Sequence, residues 1–416
     1  MTGQARPIRV LHVSQPTQGG VAVYVAQACQ DQLRRGWDVA VACPQEGSLA
    51  DRLHALGVPH IDWAARRSPG PGTWAERRRL QAIIRRYRPH VVHLHSSKAG
   101  LAGRLHPSHG IPLMFQPHGW SWLAARGAQR SAGLAWERLA GRRAQAVICV
   151  GEGELQQGRA AGVDAPYTVI RNGVDLQRFQ EADTSARLAA RRHLNVPPGA
   201  PLVVCIGRIT RQKGQDVLTT AWPRVRERCP DAQLVMVGDG DMLPRLRGYA
   251  THGIRFVPPV DDPRPWLAAS NVVAMPSRWE GLPLSALEAL AMGRPLVGTD
   301  IPGLTEVVTP RVGALVPSED PMALAAEMAR RLLVPELAEA EGQAAARRAR
   351  EFDATRTFTH LAAITYGLAT AANPVAGVPR AARRLEPVPG DAPVTAVTGA
   401  PPGVGAEPGP ATTNRT

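Results

Sequence analysis

PSRWEGLPLSALEALAMGRP, from Pro276 to Pro295, lies between two short apolar runs, NVVAM at 271–275 and PLVG at 295–298. The flanking runs are short and rich in β-branched residues, as buried strands are. Between them Gly281 opens a turn, and Pro283 fits the first turn of a helix over 283–292, where a missing N–H costs nothing. Strand, loop, helix and strand in this order make one βαβ unit, which places two parallel strands in one sheet.

The same alternation continues in both directions. Downstream of residue 200, strands are expected at 201–206, 233–237, 254–257, 271–275, 295–298 and near 313–316. Helices are expected between them at 214–228, 241–250, 263–269 and 283–292, then at 320–333 and 335–350. Upstream, strands 8–13, 38–43, 90–95, 111–116, 146–150 and near 167–170 alternate with helices 21–36, 73–88, 98–106 and 129–143. Two successive α/β units of the doubly wound, Rossmann-like kind follow, with a ligand crevice between them at the C-terminal ends of the strands. The expected division is 1–182 for the first unit and 183–351 for the second. A linker near 180–198 ends in Val196-Pro197-Pro198-Gly199. An amphipathic stretch at 352–372 is expected to cross back to the first unit. Residues 373–416, rich in Pro, Ala, Gly and Thr without apolar period, read as a disordered tail.

At 416 residues the chain exceeds one ordinary core, which agrees with two domains. Its five cysteines are scattered, with no C-x-x-C pair, so reduced thiols and a cytoplasmic setting are expected. No run approaches the length of a membrane span. The net charge of +14 is concentrated in residues 1–180, where 23 Arg and Lys stand against 11 Asp and Glu. That half favours anionic partners: a membrane surface, a nucleic acid or a phosphorylated substrate. Of the 49 basic residues only Lys98 and Lys213 are lysines. A compact ammonium acts as a point charge on phosphate and is not interchangeable with a guanidinium.

The chemistry gathers in the second half. GRITRQKG (Gly207–Gly214) offers Arg208 and Lys213 just after the strand ending at Ile206, a fork and a point charge suited to a diphosphate. The free N–H groups around Gly281, Leu282 and Leu284, with the helix dipole, form an anion site. Glu288 sits in an otherwise apolar helix, where a carboxylate must be bonded. A ribose diol or a core salt bridge would serve. Glu280, at the loop–helix junction, reads as a ligand for sugar hydroxyls or as a favourable charge at the helix start.

These segments, together with RNGVD (Arg171–Asp175), resemble the retaining glycosyltransferases of family 4, over about residues 8–370. The carrier of the resemblance is the E-x7-E pattern in PSRxEGxPLxxLEAxAxGxP. It implies a GT-B fold and transfer of a sugar from a nucleotide diphosphate donor to an acceptor hydroxyl with retention. It further implies that Glu288 holds the donor ribose, Glu280 faces the transferred sugar, and Arg208 and Lys213 bind the diphosphate. No metal is expected to be required.

The first half supplies the facing side. Gly19 and Gly20 make a turn where backbone can approach phosphate or acceptor, or simply an ordinary turn. His118, in QPHGW, stands where the family has its active-site His-Gly, and a neutral imidazole there can hydrogen-bond the sugar. HLHSSKAGLAGR (His93–Arg104) resembles members that build surface polysaccharides on lipid carriers. Lys98 and Arg104 are candidate acceptor ligands, although a cap by Ser96 or Ser97 explains much of the run.

Other readings are weaker. Asp239-Gly240-Asp241 reads as a turn, and His93 and His95 lack nearby carboxylates or cysteines at ligand spacing. No G-x-G-x-x-G follows a strand, so a NAD-dependent oxidoreductase lacks its fingerprint. A non-catalytic polyanion-binding protein is opposed by the intact Glu280, Glu288, Arg208 and Lys213, and no nucleic-acid partner is expected. Helix 73–88 and the stretch 120–143 mix Arg with Trp, which suits either reversible contact with an anionic membrane or a core stripe with a solvated basic face.

Overall fold

The computed structural model describes residues 7–105, 110–248 and 253–372. The first sheet holds seven strands: β1 (Arg9–Ser14), β2 (Asp38–Cys43), β3 (His60–Asp62), β4 (Val91–His95), β5 (Leu113–Gln116), β6 (Ala146–Cys149) and β7 (Tyr167–Val169). The second holds six: β8 (Leu202–Ile206), β9 (Gln233–Val237), β10 (Ile254–Val257), β11 (Val272–Met275), β12 (Leu296–Thr299) and β13 (Gly313–Val316). Every recorded pairing is parallel. Central strands such as β4 and β11 are buried throughout because helices cover both faces.

The strand orders are β3-β2-β1-β4-β5-β6-β7 and β10-β9-β8-β11-β12-β13. Each sheet therefore reverses direction once, between β1 and β4 and between β8 and β11. At such a reversal the loops leaving the two strands diverge and open a crevice at their C-terminal ends. The segments leaving these four strands begin at residues 15, 96, 207 and 276, the second of them directly as a helix.

Helix Ala354–Ala372 packs on the first sheet, where Phe358 and Leu361 join Ile8, Val10, Tyr24, Val91 and Ile148 in one buried cluster. Burying each such large side chain stabilises the fold by roughly 1.5–3 kcal/mol. The crossing is secured by a parallel bridge between Val174 and Asp353, with Val174 N donating to Phe352 O.

Several elements differ from the sequence expectation. The region read as a linker contains helix Thr184–His193, capped by the Asp183 carboxylate on Ala186 N. Its buried Arg191 donates to the carbonyls of Pro197, Pro198, Ala200 and Ala269, which ties the helix to the second sheet. Helices Ser48–Ala55 and Glu152–Ala160 and strand β3 were also unforeseen, each too short to show a clear period. The tail proposed at 373–416 lies outside the described residues. Among the described residues no helix is long and apolar enough to cross a membrane.

Candidate active site

The loop after β8 carries a short helical turn, Arg211–Lys213, closed by Gly214 at φ +68°. A Cβ there would lie 1.9 Å from the Pro276 carbonyl oxygen. Only glycine permits this approach, which fixes the Lys213 turn against the loop after β11. Lys213 Nζ consequently reaches Glu280 Oε1 at 2.6 Å, and Ser277 Oγ donates to the same oxygen at 2.7 Å. Glu280 is 5% exposed, so both partners are needed to carry its charge.

Arg208 lies beside this pair, partly exposed, and donates to Gln212 Oε1 at 3.3 Å. Burial lowers its pKa, Arg67 of the facing domain adds to the effect, and Glu280 and Asp241 oppose it. Arg278 of the same loop turns away and clamps Asp216 and Glu319. It holds the loop in place and adds no charge to the cleft.

Glu288 lies on helix Leu284–Ala291 and is partly exposed to the cleft. Burial lifts its carboxyl to about 7, opposed by Arg178 and Arg52 and reinforced by Asp262. No ion pair satisfies it among the described residues, so the core salt bridge allowed by the sequence is not formed. The carboxylate is therefore available to a ligand with hydroxyl donors.

The two domains meet at the start of this helix. A Cβ at Gly20 would stand 3.7 Å from Leu284 Cδ1, and one at Gly281 would meet Val150 Cγ2 at 2.8 Å and the His118 carbonyl carbon at 3.8 Å. Asn172 Nδ2 donates to Leu282 O at 2.7 Å, and Glu306 accepts from Gly153 N at 2.7 Å. Gly19, at φ +69°, begins helix Gly19–Arg34 on the opposite wall. Glu280, Gly281, Leu282 and Leu284 thus face Gly20 and His118 across one crevice, with Arg208, Lys213 and Glu288 on its second-domain side.

His118 occupies the left-handed region at φ +54°, followed by Gly119 at +99°. Its turn is held by Glu154, whose carboxylate accepts from Gly119 N at 2.5 Å and Val150 N at 2.7 Å. Burial lifts the Glu154 carboxyl to about 7, while these two bonds favour its charged form. The His118 ring is neutral near pH 7, since burial pushes its pKa down to about 3. Its Nε2 lies 3.0 Å from His95 Nδ1.

Lys98 and Arg104 do not reach the crevice as acceptor ligands. Lys98 Nζ lies 2.5 Å from Glu76 in a buried pair and also bonds Thr73 Oγ1. Arg104 is bidentate to buried Glu137 at 2.8 Å and stacks over Phe115. Both join neighbouring helices of the first domain. Ser96 has φ +83° and, like Ser97, makes no capping bond to helix Ser96–Arg104. Asp239 accepts from Gly240 N in a tight turn, as expected. The histidines hold a surprise: His12, from another strand, joins His93 and His95, with one nitrogen of each within 4.8 Å of the others.

Residues missed by sequence reasoning are Ser277, Asn172, Glu154 and Glu306. Ser277 and Asn172 lie inside motifs that had been singled out, three residues before Glu280 and one after Arg171. Glu154 and Glu306 gave no local signal.

Comparison with known proteins gives the family and the fold. Residues 18–178 match the Glycosyltransferase Family 4 model, and residues 200–333 match the Glycosyl transferases group 1 model. A D-inositol 3-phosphate glycosyltransferase of Jonesia denitrificans is 32% identical over 66% of this chain and 70% of its own length. An alpha-maltose-1-phosphate synthase of Mycolicibacterium smegmatis is 30% identical over 72% of this chain and 80% of its own. Among solved structures, a sucrose-phosphate synthase from Thermosynechococcus elongatus superposes with TM-score 0.75 at 21% identity, covering 88% of this chain and all of its own. Anabaena HepE in complex with UDP and glucose gives 0.75 at 19% identity, covering 86% of this chain and all of its own. These structural likenesses establish the GT-B fold.

Proposed function

This chain belongs to glycosyltransferase family 4 and is a glycosyltransferase, and from that premise we propose how its crevice works on a nucleoside diphosphate sugar. The diphosphate lies against Arg208, Lys213 and the N–H groups at Gly281, Leu282 and Leu284. The ribose diol donates to Glu288, and the transferred sugar lies between Glu280 and His118. The observation that carries this reading is the Lys213–Glu280 contact at 2.6 Å, which joins the phosphate-binding loop to the sugar-facing loop.

In the proposed reaction the bond from the anomeric carbon to the diphosphate oxygen breaks. Arg208, Lys213 and the helix start take up the charge on the leaving oxygen. The acceptor hydroxyl attacks from the same face, forms the new bond to the anomeric carbon and passes its proton to the departing diphosphate oxygen. Two fixed cations supply this stabilisation with no metal required. Such preorganised donors act without reorganising as charge develops. Glu280, held by Lys213 and Ser277, keeps one oxygen bonded and presents the other to the sugar.

The acceptor side is the wall bearing Gly19, Gly20 and His118, and the acceptor class we favour is a glycan or lipid-linked hydroxyl in cell-surface polysaccharide or glycolipid synthesis. A mannosyltransferase acting on a phosphatidylinositol mannoside in Corynebacterium glutamicum, 31% identical over 54% of this chain, supports that class. Reversible contact of the basic first domain with the cytoplasmic face of an anionic membrane fits the charge of +12 over residues 1–180 and the exposed Trp74 and Leu139.

The full chain incubated with UDP-, GDP- and ADP-sugars should release one nucleoside diphosphate, and the released or transferred sugar should retain the donor's anomeric configuration. Release no faster than that by Glu280→Gln, across all donors, would overturn the reading.

A further inference from the structure

A line of four polar side chains runs from the back of the first domain to the crevice. The register of β1 on β4 sets His12 beside His93 and Ser14 beside His95. His12 and His95 therefore share one face of the sheet, below Gln32 of helix Gly19–Arg34. His12 Nε2 lies 2.9 Å from Gln32 Oε1, His12 Nδ1 lies 2.9 Å from His95 Nε2, and His95 Nδ1 lies 3.0 Å from His118 Nε2. Gln32, His12 and His95 are 0–1% exposed, so water cannot substitute in the Gln32–His12 and His12–His95 links. Tyr24 packs its ring edge on both His95 and His118 and is backed by Phe358.

Each link carries one proton, and a neutral imidazole has one donor and one acceptor nitrogen. Burial holds His12, His95 and His118 neutral. Direction then propagates from one end. The Gln32 amide stands with Oε1 toward His12 and its buried Nε2 without a partner. In this orientation the oxygen can only accept, so the proton of His12 is on Nε2 and its Nδ1 accepts from His95 Nε2–H. His95 Nδ1 in turn accepts from His118 Nε2–H. This leaves His118 Nδ1 as a lone pair, on a bond direction that diverges from the chain. It makes no hydrogen bond among the described residues.

We propose that Gln32, His12 and His95 are positioning residues that fix His118 as its Nε2–H tautomer, so that it accepts a hydrogen bond through Nδ1 from a hydroxyl of the bound sugar. The sugar's presence rests on the function proposed above; the tautomer does not. The chain also accounts for the buried imidazoles of His12 and His95, whereas His93 beside them lies outside it, with both ring nitrogens unpartnered among the described residues. A metal ion fits the same cluster less well. Nitrogen ligands of a tetrahedral zinc centre stand about 3.3 Å apart, whereas His12 Nδ1 and His95 Nε2 are 2.9 Å apart and share a proton. A metal would break the links on both sides of His95 or His12.

The test is long-range ¹H–¹⁵N NMR of the full chain labelled with ¹⁵N-histidine, with the His118 signals identified by their loss in His118→Gln. Wild type should show His118 protonated at Nε2. Gln32→Met, which keeps the volume and removes the acceptor, should shift His118 to a tautomer mixture. Gln32→Glu, an obligate acceptor, should restore Nε2–H. In turnover, Gln32→Met should lower kcat by up to roughly tenfold, the scale of one hydrogen bond. Affinity for the nucleoside diphosphate alone should be unchanged, and Gln32→Glu should recover kcat. His12→Asn breaks the same chain and carries the same expectation if Gln32→Met does not fold. Protonation of His118 at Nδ1 in wild type, or an unaltered tautomer in the folded variants, would overturn the proposal. Stoichiometric metal bound through His12 and His95 would also overturn it. The predicted tautomer in a protein that transfers no sugar would support the chain and count against the donor reading instead.

Discussion

Lys213 Nζ and Glu280 Oε1, 67 residues apart in sequence, stand 2.6 Å apart at the floor of the crevice. The contact couples the two loops that leave β8 and β11, and each residue supplies what the other lacks. The ammonium gives Glu280, at 5% exposure, its charged partner, and the carboxylate keeps the ammonium aimed at the place proposed for the diphosphate.

Removing one cation should therefore slow transfer far more than it harms the fold. Lys213→Ala and Arg208→Ala should each lower kcat by roughly 10²–10³, the scale of losing one preorganised donor to a developing anion. Lys213→Ala should also cost about 1–3 kcal/mol of stability, because Glu280 keeps only Ser277. Turnover measured beside thermal unfolding separates the two effects. Wild-type turnover in both variants would remove them from the site.

Glu288 yields a prediction about pH. Its folded carboxyl titrates at about 7, above an unfolded value near 4.5, so the folded state binds the extra proton between those limits. Stability contributed by this group therefore falls as pH rises from about 4.5 to about 7, and above that the loss is complete. Glu288→Gln should raise the melting temperature at pH 8 and change it little at pH 5. The same variant should weaken nucleoside diphosphate binding roughly 10- to 100-fold at pH 8, the scale of hydrogen bonds to a charged group. Unfolding scans at both pH values with a binding titration check both halves.

Gly214→Ala tests whether the two loops must touch. Its Cβ would stand 1.9 Å from Pro276 O at a backbone angle that disfavours side chains. Strain of about 1–3 kcal/mol is expected, and the Lys213 turn should be displaced. A loss of stability accompanied by a loss of nucleotide affinity would bear this out; unchanged affinity would show that the approach is dispensable.

The family pattern and most strands were legible because their signals are local. In 271–298 a strand, a glycine turn, a proline-started helix and a second strand follow one another without interruption. The crevice was less legible, because its assembly depends on long-range register. His12 and His95 are 83 residues apart, and only the β1–β4 pairing brings them together. Asn172 and Leu282, 110 apart, meet only because the domains close at the start of helix Leu284–Ala291. Lys98 misled for a related reason. Its rarity in an arginine-rich chain resembled that of Lys213, but its partner is Glu76 on a neighbouring helix. Helix Thr184–His193 was hidden by its many arginines, one of which is buried on backbone carbonyls.

Lys98 accordingly serves as a contrast to Lys213. Lys98→Ala should destabilise the first domain by about 3–5 kcal/mol, as breaking a buried ion pair does, and leave nucleotide affinity in the folded fraction unchanged. A selective loss of nucleotide or acceptor binding at full stability would return Lys98 to the site.

The most direct measurement of the central claim is calorimetric titration of UDP, GDP, ADP and NAD, without added metal, into wild type and Lys213→Ala. The donor site described here predicts that one nucleoside diphosphate binds in preference to the others and to NAD, and that Lys213→Ala weakens it at least tenfold, as losing a charge-assisted contact does. Binding of NAD alone, or diphosphate binding indifferent to Lys213, would contradict it.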